Sequence, residues 1–374
     1  MQYFTSAHLV LTTQCNLRCP YCYIHKYNKV MTKPMIKSVI NYLIKSAKVL
    51  NQQGIRLTMF GGEPTLYPEL CEYALLYATN QCRKNQLKLH YRIITNGMRF
   101  DDRVQDFFYL WRTITNGNMD VLVSLDGMPE VQRINRIPAA DANFDSGDMM
   151  EENLSKMRDW CFENDLTFNR IFRTHNMLTK TSLPHLFETY KYFAEQGLSA
   201  GPQLVVEEPW SEEDIAIYDD QMNQLFEYIK TKNPQLLKTQ FFGYMGPKRG
   251  FEAPQNPFHC AHPGQARAVT PDGDVYTCHR AIYNFDTCII GHIDENGNYT
   301  HNADNLKNYM NVKPCNKCQG CESAGSCHVC RNYYVNEKNF GELWTEIDIY
   351  CKLMEVEKKY SLMAQEYLKE HNML

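Results

Sequence analysis

Long apolar runs are missing from these 374 residues. The longest wholly apolar stretch, Tyr73 to Ala78, falls far short of the ~18 residues that a membrane span needs. No basic segment followed by an apolar one stands at the N-terminus, so no secretory signal is read. A surplus of basic charge is missing as well. Lys and Arg total 39 against 43 Asp and Glu, a net charge of −4, which leaves no basic field for wrapping duplex nucleic acid. Internal repeats and low-complexity tracts are lacking, and 44% hydrophobic with 22% charged residues excludes wholesale disorder. The expectation is a soluble, cytoplasmic protein with neither a membrane nor a nucleic-acid partner.

Cysteine, by contrast, is abundant and unevenly placed. Of fifteen, Cys15, Cys19 and Cys22 lie within eight positions, and nine lie between Cys260 and Cys351. An odd count without an export signal argues against a disulfide framework, because cytosolic thiols are kept reduced. The two dense groups therefore read as metal ligands, whereas Cys71, Cys82 and Cys161 sit in apolar helical patterns and read as packing residues.

The first two hundred residues alternate strand and helix. Strands are expected at His8–Thr12, Ile55–Phe60, Leu87–Thr95, Met119–Ser124, Thr167–Phe172 and Gln203–Val206. Between them come helices, the first with Ile36, Val39, Ile40, Leu43, Ile44, Ala47 and Leu50 on one face, Thr32 as N-cap and Gly54 as its stop. A later helix starts at Ser211 with a capping box completed by Asp214. This alternation predicts an α/β fold with a parallel sheet, a partial (β/α)6 TIM-type barrel, because six units are too few for eight-fold closure. Functional groups belong at the C-terminal strand ends, and polar or glycine motifs stand there: Cys15–Cys22, Gly61–Leu66, Thr95–Gly97 and Ser124–Gly127. The expected division is 1–206 for the barrel core, 207–255 for a helical bridge, 256–352 for a cysteine-rich module of short hairpin and helices, and 353–374 for a C-terminal helix.

In Cys15-Asn-Leu-Arg-Cys19-Pro-Tyr-Cys22, three thiolates on one loop suffice for three irons of a cubane and leave the fourth open. Zinc with three cysteines and His25 is the competing reading of the loop alone.

With Tyr21 before the last cysteine, the loop resembles the signature of the radical S-adenosylmethionine (radical SAM) family. The resemblance continues through Phe60-Gly61-Gly62-Glu63-Pro64, Thr95-Asn96-Gly97 and Ser124-Leu125-Asp126-Gly127. It implies that Cys15, Cys19 and Cys22 hold a [4Fe-4S] cluster and that Glu63 and the backbone of Gly61 and Gly62 take the amino group of S-adenosylmethionine. Thr95, Asn96, Ser124 and Asp126 would approach its sugar; Arg136 and Arg170 would lie near its carboxylate or the substrate. The implied chemistry is reductive cleavage of S-adenosylmethionine to methionine and a 5′-deoxyadenosyl radical, which abstracts a hydrogen atom under anaerobic conditions.

The C-terminal cysteines resemble the SPASM extension of that family, which carries two auxiliary four-iron clusters, giving three [4Fe-4S] clusters in all. Family order implies Cys260, Cys278 and Cys330 on one cluster, and Cys318, Cys321, Cys327 and Cys351 on the other. The spacing from Cys327 to Cys330 is one residue short of the family's. The fourth ligand of the first auxiliary cluster is open between Cys288, Cys315 and none, and the register could slip to Cys315, Cys318 and Cys321. Where sulfatase maturases carry an Asp base, this chain has His279, whose ordinary pKa of about 6.5 suits a base.

Auxiliary clusters favour net oxidation. The leading expectation is a peptide or protein maturase that oxidises or crosslinks a residue in its substrate, as ribosomal-peptide maturases do. Its partners would be a flavodoxin- or ferredoxin-type electron donor and, for a leader peptide, either a separate recognition protein or the core itself, because the chain begins almost directly with the first strand. A sugar or cyclitol alcohol dehydrogenase with the same clusters is the alternative. A non-catalytic iron–sulfur or zinc interaction protein is the third reading, which gives the glycine and Thr-Asn-Gly motifs no purpose.

Overall fold

The computed structural model describes residues 3–198, 203–238, 266–283, 285–311, 321 and 337–373, with 337–347 described by backbone alone. The chain divides into two compact units: Met1–Ser124, Ile137–Arg173 and Ala261–Asn311 form the first, and Leu125–Arg136, Thr174–Cys260 and Val312–Leu374 the second.

The first unit is organised by a sheet. Strands β1 (Ser6–Thr12), β2 (Gly54–Gly61), β3 (Lys88–Thr95) and β4 (Val121–Ser124) follow one another in parallel, the arrangement that alternating strand and helix demands. One layer runs across them: Leu9 pairs Met59, Met59 pairs Ile93 and Ile93 pairs Val121, all four without solvent exposure. The helices between them start where the sequence caps them. Thr32 Oγ1 accepts from the Met35 amide at 3.2 Å ahead of Lys33–Val49, and Asp101 caps Asp102–Thr115 through the Val104 amide at 3.1 Å. The first helix ends before its expected stop. Leu50 caps it, Asn51 turns left-handed at φ 51°, and Gly54 instead opens β2, where a Cβ would meet the Lys88 carbonyl oxygen at 2.4 Å.

Two expected strands come out differently. Residues 168–171 form a helical turn, Phe168–Ile171, on which Phe168 and Phe172 stack at 5.4 Å, and the strand β5 (Phe172–His175) begins where 167–172 was to end. Gln203–Val206 is reduced to β7 (Gln203–Leu204), which pairs with β6 (Met177–Leu178) in a separate two-stranded sheet of the second unit. The short strands from the C-terminal part join the large sheet. Strand β8 (Arg267–Val269) lies parallel to β1, and β9 (Asp274–Tyr276), β10 (Ile289–Ile293) and β11 (Tyr299–His301) continue antiparallel. The order is β11-β10-β9-β8-β1-β2-β3-β4-β5. The α/β class with a parallel core is as expected, and the sheet is open among the described residues. The Pro271-Asp272-Gly273 turn joins β8 to β9, with Gly273 at φ 89°.

The second unit is helical. Glu212–Lys232 begins with the Ser211–Asp214 capping box, and a 34-residue helix, Glu337–Glu370, packs against it. Tyr350, Leu353, Met354, Tyr360, Ala364 and Leu368 share a core with Tyr218, Met222, Leu225, Phe226 and Ile229. Their three- and four-residue spacing makes one stripe. Among the described residues no helix is long and apolar enough to cross a membrane.

Candidate active site

The loop after β1 is closed at its base. Thr12 Oγ1 and the Thr13 amide both donate to the Lys29 carbonyl at 3.0 Å, and the Met31 amide donates to Leu11 at 2.7 Å. Its middle is tied to 137–139: the Arg18 amide donates to Ile137 and the Ala139 amide to Asn16. Cys15, Cys19 and Cys22 are thus carried on a loop pinned at three places, each partly exposed and none in a disulfide. Leu17 N–H and Asn96 Nδ2 donate to Cys15 Sγ at 3.4 and 3.7 Å, and Lys26 Nζ donates to Cys22 Sγ at 3.1 Å. Burial pushes the Cys15 thiol up from its ordinary pKa, and the Lys26 ammonium opposes this. His25 is exposed against Tyr27.

The end of β2 is pressed onto this loop. Gly62 N–H donates to Thr12 O at 2.7 Å and Glu63 N–H to Gln14 O at 2.8 Å. A Cβ on Gly61 would sit 2.2 Å from Thr12 O, and one on Gly62 2.0 Å from Gln14 O, so side chains are excluded by the neighbouring backbone. With those amides used, carbonyls and the Glu63 carboxylate are what remain for a ligand's amino group, which needs acceptors.

Glu63 is fully buried. Its Oε1 accepts from the Thr65 amide (2.9 Å), Thr65 Oγ1 (2.6 Å) and Thr95 Oγ1 (2.7 Å), and its Oε2 from the Asn96 amide at 2.6 Å. Burial nevertheless pushes its pKa up, with those donors acting the other way. Asn96 closes the circuit: its Nδ2 donates to Asn16 Oδ1 at 2.7 Å as well as to Cys15. The loop after β1, the end of β2 and the end of β3 therefore share one hydrogen-bonded network, Cys15–Asn16–Asn96–Glu63–Thr95.

Of the other expected cofactor residues, Ser124, Asp126, Arg136 and Arg170 stand on later elements of the chain. Ser124 ends β4, half-buried. In the second unit Asp126, 3% exposed, accepts from Arg136 Nη2 and the Met177 amide, both at 2.9 Å. Arg136, expected to serve a ligand carboxylate, thus has a carboxylate partner within the protein. Arg170 is exposed on its helical turn and shares no hydrogen bond with the Glu63 network. Tyr21 is half-buried on the cysteine loop.

His279 follows Cys278 after β9. Its ring centroid lies 4.6 Å from that of His8, 5.4 Å from Phe60 and 6.1 Å from Tyr23, which follows Cys22 in sequence. Sequence reasoning passed over His8 as a strand residue. Burial brings its pKa down to about 4, and its Nδ1 is buried with no hydrogen-bond partner among the described residues. Its signal was a histidine within the apolar run of β1. Cys278 Sγ accepts from the Arg280 amide at 3.2 Å, and Cys288 is fully buried beside the Thr277 amide that its carbonyl accepts. Cys321 and Cys351, in the second unit, are partly exposed. Cys260, Cys315, Cys318, Cys327 and Cys330 lie outside the described residues.

Among the described residues no three His, Cys, Asp or Glu side chains converge as they would on one metal ion. A cubane presents a different iron to each thiolate, so three thiols on one loop need only surround it. The donor set fits such a cluster: three thiols, N–H groups aimed at two of the sulfurs, and a neighbouring buried carboxylate.

Residues 9–146 match the Radical SAM superfamily. That stretch holds the cysteine loop and the ends of β1 to β4, and its match marks a radical SAM domain in this chain. Among curated relatives, the cysteine-type anaerobic sulfatase-maturating enzyme of Clostridium novyi (strain NT) is 26% identical over 91% of this chain and 90% of its own length. Mycofactocin maturase MftC of Mycobacterium tuberculosis is 22% identical over 88% of this chain and 78% of its own. The radical SAM fold recurs in native anSMEcpe with bound AdoMet and Cp18Cys peptide, with TM-score 0.66 and 18% identity over 97% of this chain and 99% of that one. It recurs also in Streptococcus suis SuiB bound to precursor peptide SuiA, with TM-score 0.54 and 13% identity over 90% and 73%.

Proposed function

We propose that this radical SAM enzyme oxidises or crosslinks a residue of a peptide or protein substrate. The observation that carries the reading is the network from Cys15 through Asn96 to Glu63, which ties the ends of β2 and β3 to the cysteine loop after β1. Cys15, Cys19 and Cys22 hold the cluster, and the N–H groups of Leu17 and Lys26 steady two of the thiolates by charge-assisted bonds. Glu63 Oε2, with one donor against three on Oε1, is the oxygen with capacity left for an ammonium group. Thr95 and Asn96 fix that carboxylate so that it meets the cofactor without reorganisation. When bound, the cluster and S-adenosylmethionine together supply one-electron cleavage and hydrogen-atom abstraction, while the protein positions the target and excludes water.

A peptide substrate is supported by the names of the full-length relatives, a sulfatase-maturating enzyme and a mycofactocin maturase. Electrons would come from a flavodoxin- or ferredoxin-type donor. Cys260, Cys278 and Cys330, with Cys318, Cys321, Cys327 and Cys351, would hold two auxiliary clusters, for a total of about eleven or twelve irons. His279, against His8 and near Tyr23, is the group we assign to take the substrate proton.

The test uses the reconstituted, anaerobic enzyme with peptides encoded beside its gene. The expected result is a peptide lighter by two hydrogens, formed together with 5′-deoxyadenosine and with deuterium carried from labelled peptide into it. Deuterium arriving only from a labelled sugar or cyclitol would overturn the peptide reading. His279→Ala should spare cofactor cleavage and stop product; an unchanged product yield would remove the proposed base.

A further inference from the structure

The two faces of the first unit's sheet differ in charge. Leu57, Met59, Tyr91 and Ile93 are buried on one face, so Arg56, Thr58, His90 and Arg92, which alternate with them, share the other. Arg56 stands directly across from His90, and Thr58 pairs with Arg92 on one side and His8 on the other. Asp120 and Arg173 extend the row: Asp120 accepts from Arg92 Nε at 2.7 Å and from Arg173 Nη2, and His90 Nε2 lies 3.6 Å from it. Three guanidinium groups thus stand against one carboxylate. Asp120 gives one oxygen to Arg92 and the other to Arg173. The Arg56 side chain is exposed and makes no hydrogen bond or ion pair among the described residues, and Arg92 commits only its Nε. From the strand spacing and rise, the Arg56 and Arg92 backbones are about 8 Å apart on the diagonal, a gap that two long side chains can close on one anion. Without an anion there, the two like charges repel.

This row leads down from the candidate active site. His8, one strand from Thr58, has its ring against His279 at 4.6 Å. Arg92 precedes the end of β3 at Thr95, and Arg56 precedes the end of β2 at Gly61. At about 3.3 Å per residue they lie about 10 and 17 Å below the strand ends that carry the Glu63 network. We infer that Arg56 and Arg92 bind a carboxylate of the peptide substrate, an Asp or Glu about three to five residues from the residue that is modified. The inference deepens the peptide reading above and rests on it. The separation follows from the rise of an extended peptide, about 3.3 Å per residue, which matches that of the strands beneath it. Arginine suits the task because its planar fork meets both oxygens of a carboxylate at once.

The experiment measures binding of short fluorescein-labelled peptides, identical except for Glu, Gln or Lys at the same positions, to the full-length reconstituted protein by anisotropy. Wild type is compared with Arg56→Gln, Arg56→Glu and Lys45→Gln, the last an exposed charge on the first helix. Wild type and Lys45→Gln should bind the Glu peptide about tenfold more tightly than the Gln peptide, less so at high salt. Arg56→Gln should lose that preference, and Arg56→Glu should turn it toward the Lys peptide. Equal binding of the Glu and Gln peptides to wild type overturns the proposal, and so does a Glu preference that survives in Arg56→Gln or vanishes in Lys45→Gln. A second arm uses the peptides encoded beside the gene. Changing their acidic residues to amides should raise KM about tenfold with little change in kcat. If a peptide is modified and its KM does not respond, the arginine row has failed while the peptide reading stands. If deuterium comes only from a sugar or cyclitol, the peptide reading has failed, and this proposal with it.

Discussion

Two carboxylates, the fully buried Glu63 of the first unit and the half-buried Glu357 of the second, are solvated in opposite ways. Glu63 in the first unit has four hydrogen-bond donors on its two oxygens. Glu357 in the second has the Tyr218 hydroxyl at 2.9 Å. Burial pushes both up, Glu357 to about 7. The donors around Glu63 come from strand ends that converge on the cysteine loop, so the protein has built a polar seat that no packing need requires. Glu357 sits on the apolar stripe of a long helix, where burial favours its protonated form. A satisfied buried carboxylate marks a site; a poorly satisfied one is an element of packing that titrates.

The sharpest way to break the comparison is to take away the backbone approach that seats Glu63. Gly62→Ala places a Cβ 2.0 Å from Gln14 O, backbone against backbone. It should cost several kcal/mol, on the order of 3–5, and abolish S-adenosylmethionine binding; a soluble variant that binds normally would show that the approach is dispensable. Glu63→Gln keeps the shape but turns an amide N–H₂ toward groups that now donate to the carboxylate. Leaving a buried donor unpaired costs about 1–3 kcal/mol, and calorimetry should show S-adenosylmethionine binding weakened at least tenfold. Equal affinity would mean that the carboxylate charge is not what the ligand meets.

The smallest effect is expected at Glu357, and its sign follows from the direction of the shift. The folded protein keeps this proton up to about pH 7, whereas an unfolded glutamate loses it near 4.5. The stabilisation is therefore complete below pH 4.5 and is lost as pH rises through 7. Denaturant midpoints of the second unit should fall between pH 5 and 8 by on the order of 1–2 kcal/mol after allowance for partial solvent exposure. Glu357→Gln should flatten that slope. A slope that survives the substitution belongs to another group.

Much of the candidate site could be read from local spacing. The cysteine loop, the caps at Thr32 and Ser211, and the Glu63 and Thr95-Asn96 motifs at strand ends depend on residues a few positions apart. What the sequence hid was set by contacts between distant segments. The Arg136–Asp126 ion pair redirects a residue expected at a ligand. The docking of β8 on β1 carries Arg267, Cys278 and His279 into the first unit from more than 250 residues away. The fifth strand starts late because Phe168 and Phe172 stack four residues apart, a helical spacing within a β-rich composition. The glycines of the Gly61-Gly62 pair were read for ligand binding, and their steric reason, the carbonyls of Thr12 and Gln14, appears only once two strands are paired.

The account stands most directly on Cys15, Cys19 and Cys22 and one product. Anaerobically reconstituted protein given S-adenosylmethionine and dithionite should form 5′-deoxyadenosine, quantified by mass spectrometry. The variant with all three cysteines changed to Ala should form none while retaining its fold. Product from that triple variant, or none from wild-type protein carrying its full iron, would contradict it.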